Sequence, residues 1–258
     1  HSLDRRQRQM CIRDSLILSA SYIVNLFLMK PLSMDHYLAK ELVAELIDSP
    51  EAMTYVGIFD RFSWLTKHSS KLSIPTESDR NEDISELEDR LKILQSYDIN
   101  KLSDIQKTTR EIAIFDTKNN LKNKKEFYYH DFPLNQIGGI HLSTIEFLNS
   151  MHPIRNLSEA NALVDRAFQI KAVFEGTRKS LERQAEIGIY PPGFVYDHVV
   201  EQLTSFIEYT DEEHPLFTQF VRKIQEINLT NEDRSMLKEN LKNAIRTSVT
   251  PGFQLLLD

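Results

Sequence analysis

Apolar residues recur every three to four positions along most of the chain, the spacing that gathers them on one face of an α-helix; strict alternation of the kind a half-buried strand needs is rare. From Ser33 onward the segments can be bounded by their capping residues. Ser33 or Asp35 caps a helix with the face Leu38, Leu42, Leu46 and Ile47, ended by Ser49-Pro50. Glu51 to Val56 is a short segment closed by Gly57, and the stretch after it carries a core-like aromatic cluster, Phe59, Phe62 and Trp64, before a polar loop at Pro75. Ile84, Leu87, Leu91 and Leu94 form one stripe, and Ser103 with Gln106 reads as a capping box for a helix to about Lys122. The short connection from Asp98 to Lys101 predicts that these two helices pack as an antiparallel pair.

Ser143 with Glu146 reads as a second capping box, for a short helix stopped at Met151-His152-Pro153. Ser158 starts the longest helix, reaching about Ile187, with Gly188 as its C′ residue. Val195, Val199, Leu203 and Phe206 line a helix after Pro192, and Pro215 to Ile227 is a further amphipathic segment. Thr230 with Asp233 opens a last helix that bears Leu237, Leu241 and Ile245 before Pro251. The pattern predicts an all-α fold, a multi-helix array of antiparallel helices over residues 32–258, without an internal repeat or linker.

The start of the chain departs from this pattern. Residues 1–15, HSLDRRQRQMCIRDS, are arginine-rich and aperiodic, and resemble the translation of a sequencing adaptor; they are read as a non-native scar and set aside. Residues 16–31 follow as an apolar leader or membrane anchor. The uncharged run 16–29 is shorter than the roughly 20 residues a spanning helix needs, but suits a signal-peptide core or a tether, with a buried helix as the plain alternative. The expected location is exported or membrane-anchored, in the periplasm or cell envelope. At the other end, the apolar run Phe253 to Asp258 has no C-cap, so the chain is expected to be part of a longer domain.

Composition narrows the function classes. Charged residues at 27% and hydrophobic ones at 41% are those of a globular protein. Seven glycines argue against turn-rich sheets and phosphate-cradling loops. The net charge of −7 becomes −9 once the scar's four arginines and two aspartates are removed. Nucleic acid is therefore not an expected partner, and Lys122, Lys124 and Lys125 read as a solvated helix end. The single cysteine, Cys11, lies in the scar, so the body has no disulfide, thiolate metal site or cysteine nucleophile.

No catalytic motif is present. His-Glu-x-x-His does not occur; the nearest miss, His198-Val-Val-Glu201-Gln202, has glutamine where a zinc ligand would stand, and reads as a helix-surface pair. His36, His68, His130, His141, His152 and His214 are scattered without ligand spacing, and no metal or cofactor site is expected in this chain. One passage stands apart, Tyr129 to His141, where Gly138 and Gly139 follow Asn135 and Gln136 in an otherwise glycine-poor sequence. Such backbone permits close approach to another group. It reads either as a functional loop or as a crossing between helical layers in which Asn135 and Gln136 satisfy the backbone. The Gly188 to Phe194 passage reads as a rigid helix-helix turn.

These passages carry a resemblance. Pro133-Leu134-Asn135-Gln136 with Gly139 and His141, then Glu146-Phe147-Leu148, His152-Pro153, the Gly188-Ile189-x-Pro-Pro turn, Val199-x-x-Gln202-Leu203 and Val249-x-Pro251-Gly252-Phe253, resemble in order and spacing the N-terminal half of the bacterial domain-of-unknown-function 885 family. The likeness covers most of Asp35 to Asp258. It implies a mainly helical, often exported or lipid-anchored protein, metallopeptidase-like because a later segment of family members reads His-Glu-x-x-Pro-Gly-His-His. Zinc and a peptide-like substrate would then belong to the full-length parent, and the C-terminal half would be this chain's intramolecular partner. This chain is expected to be inactive and to contribute cleft wall, with Asn135, Gln136 and His141 as the cleft-facing residues. The alternative is a membrane-tethered helical binding or scaffold module.

Overall fold

The computed structural model describes residues 18–19, 21–25, 27, 30–57 and 63–258, with the backbone alone for 63–66. Residues 1–15, read above as a scar, and the Phe59 and Phe62 rings lie outside that range, as does the Trp64 side chain. The regular structure of the described residues is all helical, with no strand among them, and they divide into two compact units.

The smaller unit takes the chain through Glu45 together with Asp83–Asn123. Its helices are α1 (Met34–Asp48), α3 (Glu77–Gln95) and α4 (Asp104–Lys122), the first two running on into the larger unit. The capping box of α4 forms as predicted: Gln106 N–H donates to Ser103 Oγ (3.3 Å) and Ser103 N–H to Gln106 Oε1 (3.0 Å). Arg110 of α4 donates to the carbonyls of Leu94 and Gln95 at 2.8 and 2.9 Å. Those are end-of-helix oxygens that α3 cannot satisfy itself, so one side chain caps α3 and holds the pair side by side. Met34, Tyr37, Leu94 and Tyr97 are buried between them, with Leu38, Ala113 and Ile114 packed around. The expected face of α1 is only partly used. Leu42 and Ile47 are 68% and 54% exposed, because the cluster covers the first two turns of the helix and no more.

The larger unit takes Leu46–Glu82 and Lys124–Asp258. It contains α2 (Pro50–Val56, capped by Ser49 and closed by Gly57 at φ 63°), a 3₁₀ turn (Ser63–Ser70), α5 (Ile140–Glu146), α6 (Leu157–Ala167), α7 (Ile170–Glu186), α8 (Gly193–Glu208), α9 (Pro215–Gln225), α10 (Asn231–Ala244) and α11 (Thr250–Leu257). The stripes predicted for α8, α9 and α10 are buried, and α11 lies against both α7 and α8. Phe253 is the centre of that contact, edge-on to Phe174 (5.2 Å between centroids) and stacked on Phe206 (4.5 Å). Such pairs add about 0.5–1.5 kcal/mol to the burial itself.

Three boundaries differ from the sequence reading. The helix holding Ser143 starts at Ile140 with Gly139 as N-cap, so Ser143 sits inside it and its capping box with Glu146 does not form; Glu146 instead accepts from Ser150. The longest helix begins after Asn156, whose side chain caps it, rather than at Ser158, and it is divided at Phe168–Gln169. The Ser248 hydroxyl occupies the break, accepting from Lys171 N–H (3.1 Å) and donating to the Phe168 carbonyl (2.8 Å), so the interrupted ladder is closed by a side chain from another helix. Pro251 does not end the last helix. A π-helical turn (Ile245–Val249) leads into α11, where Pro251 occupies the first turn and no N–H is missed.

The glycines of α7 and α8 give a paired prediction. A Cβ on Gly176 would stand 2.3 Å from the Pro75 carbonyl oxygen, whereas at Gly193 nothing lies within 4 Å. Gly176→Ala is expected to lower stability by about 1–3 kcal/mol in urea unfolding despite the gain in helix propensity, and Gly193→Ala to be neutral or slightly stabilising.

Candidate functional site

The loop before α5 is built on its own polar groups. Asn135 Oδ1 accepts from the N–H of Ile137 (3.1 Å) and of Gly138 (2.9 Å), and Nδ2 donates to the Phe132 carbonyl (3.1 Å), an Asx-type turn that fixes the backbone locally. Ile140 N–H donates back to the Pro133 carbonyl at 2.8 Å. The loop is so tightly folded that a Cβ on Gly139 would meet Asn135 O at 2.6 Å and N at 2.7 Å, which is why glycine stands there.

This loop is latched to α8 by Gln202. Gln202 Nε2 donates to the Gln136 carbonyl (3.1 Å), so its Oε1 accepts, and His141 Nε2–H is the donor at 2.9 Å. His141 is fully buried, and burial pushes its pKa below the ordinary histidine value while the Gln202 bond pulls part of the way back. The ring is neutral, with Nε2 protonated and Nδ1 bare. The structure therefore brings Asn135, Gln136 and His141 together and adds Gln202, the residue that stood where an inverted zinc motif needs histidine. Gln136 takes part through its carbonyl. His198 and Glu201, 4.0 Å apart and mostly exposed, form the surface pair the sequence suggested.

A second cluster was missed. Arg166 of α6 is fully buried, and its guanidinium is spent on neutral acceptors: Nε donates to Lys71 O (2.8 Å), Nη1 to His152 Nδ1 (2.7 Å), and Nη2 to Thr54 Oγ1 (2.7 Å), His68 O (3.1 Å) and Pro50 O (3.2 Å). The Phe147 ring lies 4.9 Å from Cζ, adding a cation–π contact. Burial draws the Arg166 pKa down to about 10, with Glu51 opposing it, which still leaves the side chain charged. His152 donates from Nε2 to the Glu159 carbonyl (2.9 Å), so Nδ1 must be the bare acceptor that faces Arg166. Burial first, and the neighbouring cations after it, hold its pKa at about 3. The sequence offers only its spacing, four residues from the apolar Ala162 and from Ile170, and nothing local names its acceptors.

The zinc that the resemblance implies does not fit the described residues. Both ring nitrogens of His152 are committed; His141 uses one on Gln202 and His214 one as the cap of α9, accepting from Leu216 N–H (3.2 Å), and each keeps one buried nitrogen without a partner. No three His, Cys, Asp or Glu side chains converge among the described residues.

An α-helical chain with these loop and turn motifs belongs to a defined class. The family described as "Bacterial protein of unknown function (DUF885)" matches residues 50–258, and the chain belongs to that family. Among solved structures it is similar to a protein from Colwellia psychrerythraea described as a lipoprotein, with a TM-score of 0.69 at 16% identity, over 84% of this chain and 40% of that one. This chain thus spans about two-fifths of that protein's length. No curated protein matches.

Two outcomes follow from the latch and the buried rings. Gln202→Leu is expected to cost about 1–3 kcal/mol, because it leaves His141 Nε2–H and the Gln136 carbonyl without partners; urea unfolding reads it. His152 and His214, held at about 3 and about 4 by burial, stay neutral in the fold, whereas the unfolded chain protonates them below an ordinary value near 6.5. The unfolded state then binds more protons. Stability therefore falls as pH drops from 7 to 5, by up to about 1.4 kcal/mol per pH unit for each ring once below about 6.5, and the urea midpoint falls with it.

Proposed function

We propose that this chain is the helical N-terminal part of an exported, zinc-metallopeptidase-like hydrolase, and that it forms cleft wall while a segment outside these 258 residues supplies the metal ligands and general base. The observation that carries the reading is where the polar side chains are spent. Asn135, His141, Gln202, His152 and Arg166 are all committed to holding the chain's own backbone and neighbouring side chains, which is the work of a scaffold. Family membership supports it, since the resemblance places a His-Glu-x-x-Pro-Gly-His-His segment later in family members. The length relation to the Colwellia protein fits a larger parent, and that protein's description as a lipoprotein supports export.

The test is to express the reading frame extended downstream of Asp258 beside the 258-residue chain, and to measure bound zinc and hydrolysis of a peptide library. Zinc and cleavage are expected in the extended protein alone. Cleavage by the 258-residue chain, or an extension without a histidine-glutamate segment, would overturn the proposal.

A second reading, a membrane-tethered helical binding module, is favoured by Leu18, Tyr22, Ile23, Val24 and Phe27, all exposed within the uncharged 16–29 run. No helix of the described residues is long and apolar enough to cross a membrane. Flotation with phosphatidylcholine vesicles that disappears on deleting 16–29, together with an inactive extended protein, would favour it over the hydrolase.

A further inference from the structure

The stretches 50–56 and 68–73 are held on α6 mainly by polar contacts. Arg166 takes Pro50, Thr54, His68 and Lys71, and Gln169, three residues further along the same face, donates to Ser70 O (2.6 Å) and accepts from Leu72 N–H (3.0 Å). Glu51 then ties one stretch to the other through Ser73 N–H (2.8 Å) and Oγ (2.7 Å). Met53 and Leu72 are the apolar residues these stretches bury, Leu72 at the edge of the core that holds Phe174 and Phe253.

This arrangement works with one protonation state of His152. Its Nε2–H is aimed at the Glu159 carbonyl, so a second proton has only Nδ1 to occupy, and Nδ1 faces an Arg166 N–H donor at 2.7 Å. Two donors, each on a cation, would then point at each other in a site with almost no water. The surroundings do not offset that. From α6 come Arg166 and Glu159, whose carboxylate is engaged by Arg155 of the preceding turn (2.7 Å); from α9 comes Lys223, donating to the His152 carbonyl (3.0 Å); from α2 comes Glu51, already spent on Ser73; and from the 3₁₀ turn comes His68, whose carbonyl holds Arg166 and whose Nε2 lies 3.4 Å from Ser69 Oγ.

We propose that His152 and Arg166 form an acid-released clamp: protonation of His152 displaces the guanidinium, and residues 50–56 and 68–73 leave α6 while the α7–α8–α11 core stays folded. The core outlasts the clamp because the contacts among Phe174, Phe206 and Phe253 are apolar, and its own buried ring, His214 beside Phe206 (5.8 Å between centroids), faces the Leu216 N–H through Nδ1 rather than a cation. Arg166, once out of its socket, is hydrated, and His152 regains solvent in the same step, so one proton is taken up per opening.

Hydrogen exchange of the whole chain, followed by mass spectrometry from pH 7.5 to 4 and corrected for intrinsic rates, tests this. The opening constant of peptides within 50–56 and 68–73 is expected to rise about tenfold per pH unit below about 6.5, with α7, α8 and α11 still protected. His152→Asn, whose Oδ1 can accept from Arg166 but takes no proton at these pH values, should flatten that rise. His214→Asn, which keeps a cap on α9 and removes another buried titrating ring, should leave it unchanged. Protection lost at the same pH across the two stretches and the core helices, or a pH dependence unaltered in His152→Asn, overturns the clamp. If that variant fails to fold, imidazole NMR of the unmodified chain decides: a neutral Nε2–H tautomer at pH 6 is required, and a charged His152 ring at that pH refutes the proposal.

Discussion

A guanidinium enclosed by protein is costly to desolvate, by several kcal/mol even after relaxation, and it persists only where every N–H direction is answered. Around Arg166 the answers come from carbonyls, a hydroxyl and an imidazole rather than from a carboxylate in contact. That choice has structural consequences. A carboxylate would have satisfied the charge locally, whereas single acceptors drawn from Pro50, Thr54, His68, Lys71 and His152 oblige distant parts of the chain to meet at one point. The position of α2, the end of the 3₁₀ turn and the exit from α5 are all set by the fork geometry of one side chain.

Glutamines repeat the same logic on a smaller scale. Gln169 reads Ser70 and Leu72, Gln184 donates to the carbonyls of Tyr129 (2.9 Å) and Asp131 (2.5 Å), and Gln202 reads Gln136 while receiving His141. Gln184 and Gln202 stand on long helices and Gln169 at the break between two, and each engages the main chain of a connecting segment. The apolar core, with Phe253 between Phe174 and Phe206, supplies the rigid frame from which these amides reach. Burial gives the frame its stability, and the amides give the connections their shape.

Much of this architecture could be read from the residues, and the exceptions have definite causes. The Ser103–Gln106 box and the Gly57 stop are signals complete within one turn, the α8 stripe is complete within its helix, and all three formed as read, while Ser49, read as the end of α1, also caps α2. The division at Phe168–Gln169 was invisible because the group that closes it, the Ser248 hydroxyl, is 80 residues away from Phe168. Ser143 lost its capping role because Asn135 and Pro133 had already fixed where α5 begins. Pro251 was read as a stop because its place in the first turn of α11 depends on the π-helical turn before it. At the site, scarce glycines drew attention to Asn135, Gln136 and His141, and Gln202 was noticed only as a failed zinc motif. Arg166 escaped because periodicity treats arginine as a surface residue, and nothing local says that its acceptors are waiting.

The glutamine contacts also bear on how the chain tolerates change. An amide that grips a carbonyl or an N–H is blind to the side chain attached to it, so Ser70, Leu72, Tyr129, Asp131 and Gln136 are held as backbone rather than as residue types. Sequence drift in the connecting segments can then proceed with their paths preserved, provided the three reading amides stay in place. A surface can be diversified in this way without being reshaped.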